Sequence, residues 1–184
     1  MRVPYSFNPP PASGPEETAI VDAVLQRRGT RGLQPLDLAM MHSLPLAEGW
    51  NTFYGNIRTR TSIAADVREV AICRVAVLTR AYYEWPHHAP IARSAGVPEP
   101  AIQGLKDGSL AGLSDKLQAV ARYAQAMTEQ IEVPEETFEE LRKFFSPREI
   151  VEITMVVSAY NCTSRFLVAL NVGESNGVPV AEWK

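Results

Sequence analysis

One run of sequence leaves this chain few choices. From Val67 to Leu78 it reads VREVAICRVAVL, apolar at most positions yet carrying a carboxylate at Glu69. Val70, Ala71, Cys73, Val75, Ala76, Val77 and Leu78 fall on all sides of a 3.6-residue helix. A helix apolar all round is buried in a core or at a subunit contact. Glu69 therefore needs a partner, because an unpaired buried charge is costly. Arg68, Arg74, Arg80 and His88 are the candidates. The fold must wrap this helix and deliver one of them to Glu69.

Just beyond the run stands a cluster of groups that move protons: Tyr82, Tyr83, Glu84, Trp85, His87 and His88. Glu84 and His88 are four apart, so a helix places them on one face. A carboxylate beside an imidazole favours the imidazolium, and burial favours its neutral form. That balance is the raw material of general acid–base catalysis near neutral pH. Glu69 lies too far along a continuous helix to join them, since fifteen residues rise over about 20 Å. The chain must turn back. Trp85 precedes Pro86, which pushes it away from the α region, and Pro86 suits the first position of a new helix. A break between Arg80 and Pro86 would bring Glu69, Glu84 and His88 together as candidate catalytic residues, with Tyr83 beside them.

The stretch Tyr83-Glu84-Trp85-Pro86-His87-His88, followed by Ala92, Ala95, Gly96 and Val97, resembles the signature of the carboxymuconolactone decarboxylase family. That family includes the alkylhydroperoxidase D group. The Arg68-Glu69 approach and the Tyr160-Asn161…Ser164-Arg165-Phe166 segment resemble it too. By spacing, Glu69 matches the family glutamate and His88 the family histidine. Ala81 and Glu84 stand where the peroxidase branch carries its C-x-x-C pair, so both redox cysteines are missing. The resemblance implies an all-α, single-domain helical bundle of the alkylhydroperoxidase D-like type, without cofactor or metal. It also implies a homo-oligomer, a trimer or hexamer.

Elsewhere the sequence punctuates helices clearly. Residues 1–14 form an extended, Pro-rich arm. Residues 15–172 read as the helical domain, of about seven or eight helices, and 173–184 as an irregular tail. Pro15 opens a helix to about Arg28, and Pro35 a short one containing His42. Pro45 begins a third, in which Trp50, Phe53 and Ile57 repeat at helical spacing. Trp50, Asn51 and Tyr54 line a pocket or join the core. Pro98, Ser114 and Pro134 start further helices. Ser146 and Glu149 have capping-box spacing before the last long helix. Its polar insert, Tyr160 to Arg165, faces the site on one reading, with Asn161 lining it and Arg165 binding an acidic substrate or pairing with a glutamate. On the other reading Arg165 makes a helix-end salt bridge. Alternation typical of strands is absent.

Composition narrows the function classes. The net charge of −3 gives no reason to expect nucleic acid or an anionic membrane as partner. No apolar run is expected to reach the ~20 residues that span a bilayer, and the N-terminus lacks the apolar core of a secretory signal, so a cytoplasmic location is expected. Cys73 and Cys162 form no C-x-x-C pair, and each is expected to pack as a small hydrophobe. Three functions follow. The first, implied by the resemblance, is a cofactor-independent decarboxylase-like lyase acting on a small organic acid or lactone. In it His88 shuttles the proton, Glu69 and Glu84 support it, and Tyr83 donates to a developing enolate oxygen. The second is a thiol peroxidase, for which the paired cysteines are absent. The third is an oligomeric binding protein without turnover.

Overall fold

The computed structural model describes all 184 residues. The chain is all-α, with nine α-helices, short 3-10 turns and no strand. The alternation missing from the sequence is missing from the fold. The residues group into two compact units.

The first unit comprises residues 1–60 and 170–174. It holds α1 (Pro15–Arg28), α2 (Pro35–Met40) and α3 (Leu44–Thr59). Pro15 takes the first position of α1, and Glu16 and Glu17 sit at its positive end. Asp37 in α2 closes a capping box with Gln34 and is buried between Arg27 and Arg28 of α1. His42 lies past the end of α2 rather than within it, and its Nε2 meets the Pro4 carbonyl at 2.6 Å. The N-terminal arm is tied down by backbone bonds, Arg2 to Leu170 and Ser6 to Leu38. On α3 the buried residues include Tyr54 and Ile57, whereas Phe53, expected on the apolar face, is 40% exposed.

The second unit comprises residues 61–169 and 175–184. It is built on α4 (Ala65–Thr79), the helix that the apolar run anticipates. Val67, Glu69, Val70, Cys73 and Val75 have no exposed surface. α4 packs against α5 (Trp85–Ser94), α6 (Glu99–Lys106) and α7 (Asp115–Glu129), so all its sides are covered. Each buried valine contributes about 1.5–3 kcal/mol. Arg74, also buried on α4, donates to the Leu105 carbonyl and to Gln125, which in turn donates to Glu129. α8 (Glu135–Arg142) lies on α7. α9 (Pro147–Leu170) opens with the anticipated capping box, in which Ser146 and Glu149 exchange hydrogen bonds. Tyr123 and Thr128 of α7 bond Thr154 and Asn161 of α9. α9 departs from the expectation of no span-length apolar helix. By length and composition it suffices to cross a membrane: an 18-residue stretch of it has a mean hydropathy of 1.3, but 44% of that stretch is buried inside the fold. Alanines, threonines and serines among its larger apolar residues hide that length from a search for an unbroken run. The other departure on α9 is Cys162, which is exposed rather than packed.

The reversal after α4 decides the site. Arg80 has left-handed backbone angles, φ 56° and ψ 32°. Its N–H bonds the Val77 carbonyl, and the Ala81 N–H bonds the Ala76 carbonyl. This is a Schellman ending, whose left-handed position is usually glycine because a Cβ is strained there. Replacing Arg80 with glycine relieves that strain, at some cost in unfolded-state entropy. Arg80→Gly is expected to raise stability by about 0.5–1 kcal/mol, read as a higher urea midpoint at unchanged slope. A lower midpoint would show that the Arg80 side chain stabilises the turn.

Candidate active site

Three elements of the second unit converge here. α4 contributes Glu69, a 3-10 turn at Tyr82–Glu84 contributes Glu84, and α5 contributes His88. The break expected between Arg80 and Pro86 is there, but the new helix begins one residue early. Trp85, although it precedes a proline, has α-helical angles, and Pro86 takes the second position. The 3-10 turn therefore runs directly into α5. Glu84 stands immediately before the helix and His88 one turn into it.

His88 lies between the two carboxylates. Its Nδ1 is 2.6 Å from Glu69 Oε2, and its Nε2 is 3.2 Å from Glu84 Oε2. Arg68 Nε donates to the other Glu69 oxygen at 3.0 Å. Glu69, Glu84 and His88 are all buried, with exposures of 0%, 4% and 3%. Burial pushes His88 toward its neutral form. The hydrogen bonds and charges of Glu69 and Glu84 outweigh it, and the pKa ends above the ordinary 6.5. Burial likewise pushes Glu69 upward, but His88 and then Arg68 bring its pKa below the ordinary 4.5. Counted formally, two carboxylates, one imidazolium and one guanidinium leave the buried group neutral.

Tyr160 of α9 completes the surroundings. Its ring stands edge-on to His88, 5.0 Å between centroids, and is 3% exposed. Sequence reasoning offered Arg68 only as one of four possible partners for Glu69, and it gave Tyr160 no role of its own. The signal for Tyr160 was its position at the head of the polar insert. The other candidates take different places. Tyr83 is half-buried in the 3-10 turn, its ring 4.9 Å from that of exposed His87. Asn161 donates to Thr128 and to the Val157 carbonyl. Exposed Arg165 donates to Asn161, at both its carbonyl and its side chain. Trp50 and Tyr54 belong to the first unit, where their rings stack at 4.2 Å, Tyr54 buried and Trp50 half-buried. Cys73 is buried on α4. Burial pushes its thiol well above the ordinary range, and the charges of Glu69 and Glu84 push it further, so no reactive thiolate forms there.

Residues 45–126, a span containing Glu69, Glu84 and His88, match the model of the carboxymuconolactone decarboxylase family. Over this span, which is less than half of the chain, the sequence is similar to that family. No curated protein matches it. Among solved structures, a peroxidase-related protein from Silicibacter sp. TM1040 is similar over 95% of both chains, with a TM-score of 0.74 and 20% identity. The debrominase Bmp8, solved as a variant in complex with 2,3,4-tribromopyrrole, is similar over 86% of this chain and 84% of its own, with a TM-score of 0.70 and 18% identity. A protein of unknown function from Agrobacterium tumefaciens, linked by its name to AhpD-type antioxidant defence, is similar over 71% of this chain and 91% of its own, with a TM-score of 0.63 and 21% identity. At these identities the likeness shows the fold.

The ion pairs make stability depend on pH. Below about 6.5 His88 is charged folded or unfolded, so its stabilisation is complete; it is lost as pH rises through the raised native value. Above about 4.5 Glu69 is ionised in both states; its stabilisation is lost as pH falls through the depressed native value. Their combined contribution is greatest between these two limits. Urea midpoints measured across pH should show an alkaline decline in the wild type that is diminished in His88→Gln. Equal declines in both proteins would mean that His88 is not the group responsible.

Proposed function

We propose that the chain is a cofactor-independent, decarboxylase-like lyase acting on a small organic acid or lactone. The observation that supports this reading is the buried line Glu69–His88–Glu84, in which both ring nitrogens of one histidine face carboxylates. A histidine held as its imidazolium is a general acid. Glu69, fixed on the core helix and held by Arg68, orients the ring through Nδ1. Glu84 occupies Nε2 through the longer contact, and it is the group that a substrate displaces.

In the proposed reaction the C–C bond to the substrate carboxylate breaks and carbon dioxide leaves. The electron pair stays on the substrate as an enolate. The Nε2 proton then passes to carbon, and Glu84 returns a proton from solvent to His88. Tyr83, beside Glu84 in the chain, is the proposed donor to the enolate oxygen. Isomerisation or hydrolysis of a related ring would use the same acid and base. The peroxidase alternative gains nothing from Cys73, which is sealed in the core with its thiol held protonated.

The test is a screen of small β-keto acids and unsaturated lactones for carbon dioxide release or ring absorbance change, using wild type and His88→Gln. Glutamine retains a donor for Glu69 but has no acidic proton to give. We expect His88→Gln to lower kcat by about 10²–10⁴-fold in a protein that remains folded by circular dichroism. Undiminished turnover in this variant would sink the assignment. A wild type that binds such acids without converting them would favour the binding-protein reading.

A further inference from the structure

The last ten residues offer something the family signature does not address. Trp183, the penultimate residue, is only 2% exposed. Its ring lies 5.5 Å from that of Tyr82 and 5.7 Å from that of Trp85. Those two residues flank Glu84 in sequence, two before it and one after it. The segment carrying Trp183 is anchored along its length. Asn176 donates to the Val168 carbonyl of α9 at 2.7 Å, and Trp183 Nε1 donates to the Val178 carbonyl at 3.1 Å. Lys106 of α6 donates to the Trp183 carbonyl at 2.7 Å, and its ammonium lies 5.8 Å from the Trp85 ring centre.

Trp85 itself is held by packing. It is fully buried, and its Nε1 has no hydrogen-bond acceptor. An unpaired buried donor opposes burial, so ring contacts and the Lys106 cation keep it in place. The turn bearing Glu84 thus has the core on one side and the chain terminus on the other. Glu84 is also the group with the longer of the two contacts to His88.

We infer that Trp183 is a positioning residue: the C-terminal segment clamps the Tyr82–Trp85 turn and thereby sets Glu84 against His88 Nε2. The inference rests on the reading of Glu84 and His88 as the active pair, but its test requires no substrate. Facing His88 are Glu69 of α4, itself bonded to Arg68, Glu84 of the 3-10 turn and Tyr160 of α9. Cys73 of α4 lies within the field of both carboxylates. Trp183 touches the turn through Tyr82 and the first residue of α5 through Trp85, the two residues that bracket Glu84, whereas Glu69 is held on α4 with Arg68. Loss of the clamp is therefore expected to act first on the Glu84 side.

The experiment is an NMR titration of the His88 ring in wild type, Trp183→Ala and Trp183→Phe, with the signal assigned by its loss in His88→Gln. Trp183→Ala is expected to lower the His88 midpoint by roughly half a unit or more, and Trp183→Phe to restore most of it. A merely loosened and wetter site would also move the midpoint toward the ordinary 6.5, so the same substitution is repeated in a Glu84→Gln background: a clamp acting through Glu84 has no further effect there, whereas general loosening still lowers the midpoint and overturns the inference. If Trp183→Ala does not fold, Lys106→Met serves in its place. Losing a nearby positive charge alone raises an imidazole pKa, so a fall in that variant reports a displaced Glu84. An unchanged or raised midpoint in a folded variant overturns the inference. A lowered midpoint without turnover in the lyase screen leaves the clamp intact and discards the enzyme.

Discussion

The second unit depends on how one buried carboxylate is neutralised. Glu69 sits on the most enclosed helix of the chain, where an isolated charge could not be maintained. Two cations meet it, Arg68 from its own helix and His88 from the next. The imidazolium then has one more charge-accepting face, and Glu84 fills it. Breaking such a network by deleting one partner typically costs about 3–5 kcal/mol, because it strands the remaining charges. The path from α4 through the reversal to α5 therefore has to hold one geometry, and the backbone accepts strain at Arg80 to do so.

That geometry was largely legible in the sequence, for identifiable reasons. An all-round apolar helix with one carboxylate demands a partner, and Glu84 and His88 at spacing four supply a facing pair. The prolines and capping residues marked most of the helix starts to within a residue. Trp85 escaped the local rule: pre-proline sterics disfavour its helical angles, but a 3-10 turn feeding into α5 and burial of the indole override that preference. Phe53 and Cys162 escaped because periodicity says that a helix has a covered side without saying which neighbours cover it. Tyr160 was legible only as the head of a polar insert that faces the site on one reading, and Trp183 was invisible. It meets the Glu84–His88 region from far along the chain, and one sequence carries no local trace of such a contact.

The missing cysteines also have a structural account. Ala81 follows the left-handed residue of the Schellman ending and is 1% exposed, where a small apolar side chain closes the helix end. Glu84 occupies the second position and faces the histidine. The remaining core cysteine, Cys73, lies one turn beyond Glu69 on α4, and the negative charges that suit an imidazolium oppose a thiolate. A cluster that stabilises His88 as a cation necessarily suppresses Cys73 as a nucleophile.

The asymmetry of the two carboxylates follows from the elements that carry them. Glu69 projects from a fifteen-residue helix packed on all sides, so its bond to Nδ1 can change only if the core shifts. Glu84 projects from a three-residue turn whose backbone bonds are few, and whose outer side is closed by residues from the end of the chain. Exchange with solvent or substrate is therefore cheapest at Nε2. In the proposed reaction this fixes the division of labour: the rigid carboxylate sets the tautomer and charge of the ring, and the movable one opens and refills the proton-donating nitrogen. Were the two elements exchanged, with the reacting nitrogen facing the core helix, the same three side chains would make a salt bridge that no substrate could enter.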